Sequence, residues 1–303
     1  MSILLFSRRA KDPDEGLVAA ARRLGLDAAV VTPSEAMSRV HPGDLVVNRL
    51  DVSSSLDGVE AGLGGLRRLE HRGIRVVNTA RAQRAAHDKL VTALHLHRAG
   101  IPHPDTRYLS VGAPSPLAPP LVVKPRFGSW GRDVFRCRDT EELGRCLGHV
   151  RRRPWFRKHG ALVQPLLPGE GRDLRILVAG SAVVGAVERM AAAGEWRTNV
   201  SLGAARHPIV PSEPACAVAI EAVAALRIDF ACVDVLFLPD GRPVVLEVNG
   251  APDFTAAYSL DGSDVFEAVV QAFESLSHTR PSSRSTQPGS DRDPPDRAGV
   301  SSA

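Results

Sequence analysis

The chain has 303 residues, 44% of them apolar and 5% aromatic, with a formal net charge of +4. That length allows one or two domains with real cores, and the mild positive charge suits anionic small ligands or an acidic partner while falling short of a nucleic-acid-binding signature. Four cysteines without CxxC spacing argue against a zinc site or a disulfide framework, and no stretch is long or apolar enough for a signal peptide or a membrane span, so a cytoplasmic protein is expected.

Residues 1–85 alternate strand and helix signals. Strands are expected at Ile3–Phe6, Ala28–Val31, Asp44–Asn48 and Arg75–Val77, with helices at Glu15–Leu24, ended by Gly25, and Ala61–His71. This alternation implies a parallel sheet with helical crossovers. No GxGxxG follows the first strand, so a dinucleotide site is not supported.

A helix follows over Asp88–Ala99, stopped by Gly100 and Pro102. Leu121–Lys124 reads as a strand that enters the glycine-bearing loop Phe127–Gly131, and Thr140–Val150 as a helix with Thr140 at its N-cap. Further strands are expected at Ala161–Gln164, Leu174–Ala179 and Ala182–Glu188, the last two joined by a Gly180-Ser181 turn. After a helix over Ala215–Leu226, Phe230–Leu238 and Pro243–Asn249 form a hairpin around Asp240-Gly241, and Asp264–Ser275 is a last helix. From Ser277 the chain is rich in Ser, Pro, Arg and Asp, and disorder is expected.

The last hairpin carries the strongest chemical signal. Counting outward from Asp240-Gly241 sets Leu236 opposite Val245, Asp234 opposite Glu247 and Cys232 opposite Asn249, all on one face. Directly opposed side chains have Cβ atoms about 4.5–5.5 Å apart, and like charges so placed repel. A divalent cation is the expected compensation, because carboxylate and amide oxygens are hard ligands suited to magnesium. Removing one carboxylate should then relieve repulsion. Lys124 at the end of a strand, followed by Gly128-Ser129-Trp130-Gly131, offers a charge and a pliable backbone to phosphate, without a Walker A sequence. Asp173 and Arg175 share one face of a strand, and Arg197-Thr198-Asn199 presents a guanidinium, a hydroxyl and an amide in succession.

Taken in order, these pieces resemble the ATP-grasp superfamily, in its RimK-like branch of α-L-glutamate ligases. The matching segments are Val76-Val77-Asn78, Asp88-Lys89, Ala99–Pro102, Val123-Lys124-Pro125 with Gly128–Arg132, Gly171–Arg175, Trp196–Asn199, Val233-Asp234 and Glu247–Asn249. The resemblance covers roughly residues 75–275. It implies an α/β architecture in which an N-terminal Rossmann-like parallel-sheet domain, 1–85, precedes an ATP-grasp domain, 86–276, whose two α+β subdomains (a lid, 103–163, and a C-terminal part, 164–276) clamp ATP.

The same resemblance assigns roles. Lys89, Lys124 and the loop Gly128, Ser129, Trp130 and Gly131 meet the ATP phosphates. Gln164, Pro165, Leu166 and Leu167 form the adenine-binding hinge, and Asp173 is a nucleotide contact. Arg175, Arg197 and Asn199 surround the transferred phosphate and the acceptor, and Asp234, Glu247 and Asn249 hold magnesium, for which manganese can substitute. The implied reaction is ATP-dependent ligation of a carboxylate to an amine through an acyl phosphate. An amino acid, glutamate foremost, is the expected amine, and a peptide, carrier protein or small molecule the acceptor, with oligomerisation left open and no nucleic acid or membrane involved. The rival readings are ligation of small metabolites in a secondary pathway and a non-catalytic nucleotide-binding module. Three positions depart from the pattern: Pro165 replaces an acidic hinge residue, Asp133 replaces a glycine, and no arginine lies between Asn199 and Gly203.

Overall fold

The structure, a computed structural model, describes residues 1–169 and 171–278. In the first unit β1 (Ser2–Phe6), α1 (Asp12–Arg23), β2 (Asp27–Val31), α2 (Ala36–Arg39), β3 (Leu45–Asn48), α3 (Leu63–His71) and β4 (Arg75–Val77) alternate. The strands pair in parallel in the order β2-β1-β3-β4, as the alternation implies. Helix α1 begins three residues before the expected Glu15. Pro13 sits in its first turn, where the missing N–H costs nothing, and Asp12 and Asp14 favour that end of the helix dipole.

The helix expected over Asp88–Ala99 is present, and an unexpected one precedes it. α4 (Ala80–His87) is capped by Thr79, and α5 (Lys89–Arg98) follows at once. Asp88, extended at φ −92° and ψ 95°, ends the first and caps the second through Leu90 and Val91 N–H.

The lid consists of β5 (Arg107–Leu109), β6 (Leu121–Pro125), β7 (Phe135–Cys137), α6 (Thr140–Val150), α7 (Pro154–His159) and β8 (Ala161–Pro165). Its strands form an antiparallel sheet ordered β5-β8-β6-β7. The cap of α6 is Asp139 rather than Thr140: its carboxylate accepts from Glu142 N at 2.8 Å. Asp139 is extended, whereas Thr140 already lies within the helix.

A second antiparallel sheet, ordered β11-β10-β9-β12-β13, comprises β9 (Arg172–Ala179), β10 (Ala182–Met190), β11 (Ala205–Pro208), β12 (Phe230–Phe237) and β13 (Pro243–Asn249). Helix α8 (Glu213–Leu226) covers one face with Ala215, Val218, Ala219, Ala222, Val223 and Leu226, a helical spacing that buries one stripe. Helix α9 (Val265–His278) lies against α1: Leu17 and Ala20 share a core with Val265, Val269 and Phe273, and Arg23 pairs with Asp264 at 2.6 Å and Glu267 at 2.8 Å. It runs through Ser277, where disorder was expected to begin; the rest of that tail lies outside the described residues.

The N-terminal unit and the second sheet are thus one packed body. Arg49, fully buried, donates to Asp14 at 2.6 Å and to the Pro252 carbonyl at 2.8 Å. Asn78 donates to the carbonyls of Phe230 and Gly250 and accepts from Asp229 and Phe230 N–H, which fastens β4 to the start of β12 and the end of β13. No helix among the described residues is long and apolar enough to cross a membrane.

Candidate active site

Between the lid sheet and the second sheet lies a cavity of about 800 Å³. Every residue given a site role by the resemblance lines it, from Lys89 and Lys124 through the 128–131 loop, the 164–167 segment, Asp173, Arg175, Arg197 and Asn199 to Asp234, Glu247 and Asn249. The residues come from both sheets and from α5, so only tertiary folding brings them together.

The sheet wall is a lattice of charge. Arg175, Asp234 and Glu247 face one another in a single row across β9, β12 and β13. Arg175 Nη1 donates to both Asp234 oxygens, at 2.9 and 3.2 Å, and Arg189 Nη2 lies 2.8 Å from Oδ2. Arg189 also forks onto Asp173 at 2.8 and 2.6 Å, and the Thr198 hydroxyl donates to the same carboxylate at 2.7 Å. Lys89 Nζ donates to Glu247 Oε1 at 2.6 Å. Much of the compensation expected from a cation on Asp234 and Glu247 is therefore already supplied by protein side chains.

The environment fixes the protonation states. Burial opposes ionisation of Glu247, but Lys89, Lys124 and Arg175 outweigh it and hold its carboxyl below the usual range. Burial pushes the Asp173 carboxyl up against the pull of Arg189. Burial likewise works against the Arg189 charge, but Asp234 and Asp173 prevail and raise its pKa. Lys124 is pulled down to about 8, first by burial and then by neighbouring Lys89. Among the described residues no cluster of three or more His, Cys, Asp or Glu could hold a metal ion. The donor set on this wall, two carboxylates with the Asn249 amide, suits a hard cation that completes its shell with water and phosphate oxygens, so the residues fit magnesium.

Lys89 owes its position to its neighbour. The Asp88 carboxylate that caps α5 is gripped by the Arg126 fork at 2.8 and 2.7 Å, and Lys89 N donates to the Arg126 carbonyl. This clamp sets the helix start beside the glycine-bearing loop.

The facing wall is built of loops. Lys89 Nζ donates to Gly128 O at 2.8 Å, Arg197 Nη1 to Gly131 O at 2.9 Å and the Ser201 hydroxyl to Trp130 O at 2.9 Å. Gly131 has φ +67°, and a Cβ there would lie 2.5 Å from Asn199 Oδ1, so glycine alone fits without displacing that amide. Arg197 is steadied by Glu195, whose carboxyl it holds down to about 2. Asp133, which departs from the family glycine, takes the left-handed φ of +54° and is held by Arg153 at 3.0 Å and Trp155 Nε1 at 2.7 Å. Gln164 turns its amide to the Thr106 hydroxyl at 2.7 Å, and Leu166 N donates to Pro120 O.

The register count reaches the right pairing by two departures that cancel. The β12–β13 connection leaves Phe237 facing Pro243, not Val244, which shifts the pairing near the turn by one; a bulge at Leu246 shifts it back, so Asp234 faces Glu247 and Cys232 faces Asn249. In the β9–β10 hairpin only one such departure occurs. A bulge between Val183 and Gly185 moves Arg189 opposite Asp173, where an unbroken count puts Glu188. Arg189 also lies one residue past Glu188, where the strand was expected to end.

A family model for the RimK-like ATP-grasp domain matches residues 86–273, more than half of the chain. A glutamate–LysW ligase of Sulfurisphaera tokodaii is 30% identical over 209 residues, covering 67% of this chain and 74% of its own. A tetrahydromethanopterin:α-L-glutamate ligase of Methanosarcina acetivorans is 27% identical over 280 residues, 80% and 86% of the two chains. Among solved structures, a D-cycloserine synthetase superposes with a TM-score of 0.69 at 23% identity, over 91% of this chain and all of its own. A Bacillus anthracis D-alanine–D-alanine ligase complexed with ATP gives 0.66 at 18% identity, over 91% and 97%. These two carry the fold. The chain belongs to the RimK-like ATP-grasp family and is an ATP-dependent carbon–nitrogen ligase.

Proposed function

We propose that the protein adds an acidic α-amino acid, glutamate foremost, to a carboxylate on a peptide, carrier protein or small molecule, with ATP and magnesium. The observation that carries this reading is the convergence on one cavity of the opposed Asp234–Glu247 pair, two lysines and a surplus of arginine. Guanidinium and ammonium groups in such number fit a site that gathers phosphates and carboxylates together. The curated relatives described above are named as glutamate ligases, in line with this choice.

In this reading the backbone of 164–167 takes the adenine edge, since the Gln164 side chain is engaged with Thr106. Lys89 and Lys124 offset phosphate charge, and the 128–131 loop covers the phosphates and excludes water. Asp234, Glu247 and Asn249 would hold magnesium, which when bound would offset the charge that develops on the transferred group. Arg175, fixed on Asp234, presents its guanidinium where the acceptor carboxylate receives the γ-phosphoryl group. The amine then displaces phosphate from the acyl carbon, and no nucleophilic side chain is needed. Residues 86–276 supply this machinery, with 1–85 packed behind it.

The test is a matrix of amino acids and carboxylate acceptors, scored for magnesium-dependent ADP release and product mass, with manganese as a second metal. The expected result is ADP release that requires both substrates, with a product heavier by one amino-acid residue. ADP release indifferent to every amine would sink the proposal.

A further inference from the structure

We infer that Arg206 and the Tyr258 hydroxyl form a subsite for an unreacted carboxylate of the incoming amino acid. The inference rests on the amino-acid ligase reading above. Both residues line the cavity, and neither was singled out from the sequence.

Arg206 lies on the edge strand β11, directly across from Arg189. Opposed like charges are unfavourable. Arg189 is discharged on Asp173 and Asp234, but Arg206 is not. Its ion-pair partner is Asp253, whose side chain is 64% exposed and 3.8 Å away, a contact that contributes little. The Arg206 Nε is shut off from solvent and has no hydrogen-bond partner. Tyr258, fully buried in the short turn Ala256–Tyr258, has a phenolic oxygen with the same defect. A buried polar group without a partner is costly, so two in one wall call for a ligand.

The site is built for these side chains. Gly185 in β10 lets the turn lie on the sheet: a Cβ there would stand 2.8 Å from the Tyr258 carbonyl oxygen. Phe254 packs edge-on against the Tyr258 ring at 6.2 Å. Burial raises the phenol pKa, which keeps it a donor, while Arg175, Arg206 and Arg189 surround it with positive charge. A donor phenol and a guanidinium with excess charge match a carboxylate. Arg206 is four strands from Glu247 in sheet order, roughly 19 Å at 4.8 Å per strand, so it stands apart from the proposed metal ligands. It also supplies, three residues past Gly203, the guanidinium that the stretch between Asn199 and Gly203 lacks.

The experiment compares full-length wild type with Arg206→Gln, Arg206→Lys and Tyr258→Phe. With glutamate as varied substrate, KM should rise about tenfold or more in Arg206→Gln, equal to about 1.4 kcal/mol, with partial rescue in Arg206→Lys. kcat and the KM for ATP should stay within about twofold, which a merely structural role would not allow. Glutamine and isoglutamine then identify the carboxylate: the one whose amidation no longer matters in Arg206→Gln is the one held there. Calorimetric titration with glutarate judges the subsite even if no amino acid supports turnover. Binding by wild type that Arg206→Gln loses supports it. Equal binding by both proteins, no binding by wild type, or a parallel rise in the KM for ATP overturns it.

Discussion

The two walls of the cavity are built by different means. The sheet wall holds Arg175, Arg189, Asp173 and Asp234 in a closed lattice of buried ion pairs on hydrogen-bonded strands. The loop wall is fastened by single donors to three carbonyls of the 128–131 loop. Breaking one buried pair strands its partner's charge, whereas losing one surface-loop bond frees groups that water can satisfy. The sheet wall should therefore fail all at once, and the loop wall in steps.

The largest effect should come from the carboxylates. Asp234→Asn and Glu247→Gln are each expected to lower kcat on the order of a thousandfold. Their stabilities should differ. Asp234→Asn leaves Arg175 and Arg189 facing a neutral amide and should cost roughly 3 kcal/mol. Glu247, partly exposed and bound only by Lys89, should cost less than about 1 kcal/mol. The relief of repulsion expected from the opposed carboxylates alone is reversed at Asp234 by the arginines around it. Urea melts of the two variants decide this; equal midpoints would mean the lattice is not a unit.

Arg189→Met should come next. It uncovers Asp173 and Asp234 together, with an expected loss of roughly 3 kcal/mol in the same melts. A double variant, Arg189→Met with Asp173→Leu, should recover part of that loss if the pairs are coupled.

On the loop wall, Arg197→Ala with Ser201→Ala should raise the KM for ATP about tenfold while changing stability by less than about 1 kcal/mol. Faster proteolysis within 128–131 would accompany it. A stability loss as large as that of Asp234→Asn would erase the contrast between the walls.

The smallest effect lies behind the sheet wall at His87. Burial holds its imidazole below the ordinary 6.5, with Asp51 pulling upward and Lys89 downward; the ring bonds to Gln83 and the Leu50 carbonyl. Below the ordinary value the unfolded chain takes up a proton that the folded chain refuses. Stability should thus fall as pH drops through 6.5, by at most about 1.4 kcal/mol per pH unit, and not above it. His87→Gln should flatten this slope in melts at pH 7.5 and 5.5 (values on the order of one unit either side of the ordinary imidazole).

What the sequence made legible follows from locality. Asp234 and Glu247 share a hairpin, so counting along two strands reached their pairing, but only because the turn offset and the bulge at Leu246 cancel. Arg189 and Arg206 depend on a bulge and on an edge strand of four residues, Ala205–Pro208, too short to show a period. β5 and β7, of three residues each, escaped too. The parallel sheet was readable because each strand is a clean apolar run, but its burial against α9 was not, since the partners lie at opposite ends of the chain.

That last contact has a consequence for how the protein is made. Arg23 waits for Asp264 and Glu267, and the core around Leu17 waits for Val265, Val269 and Phe273. A ribosome delivers the first helix long before the last, so the opening unit leaves the exit tunnel with one flank of its core exposed. The other face of that sheet, around Phe6, Val46 and Leu66, carries a core drawn from the opening unit alone, so what the last helix completes is the flank around Leu17.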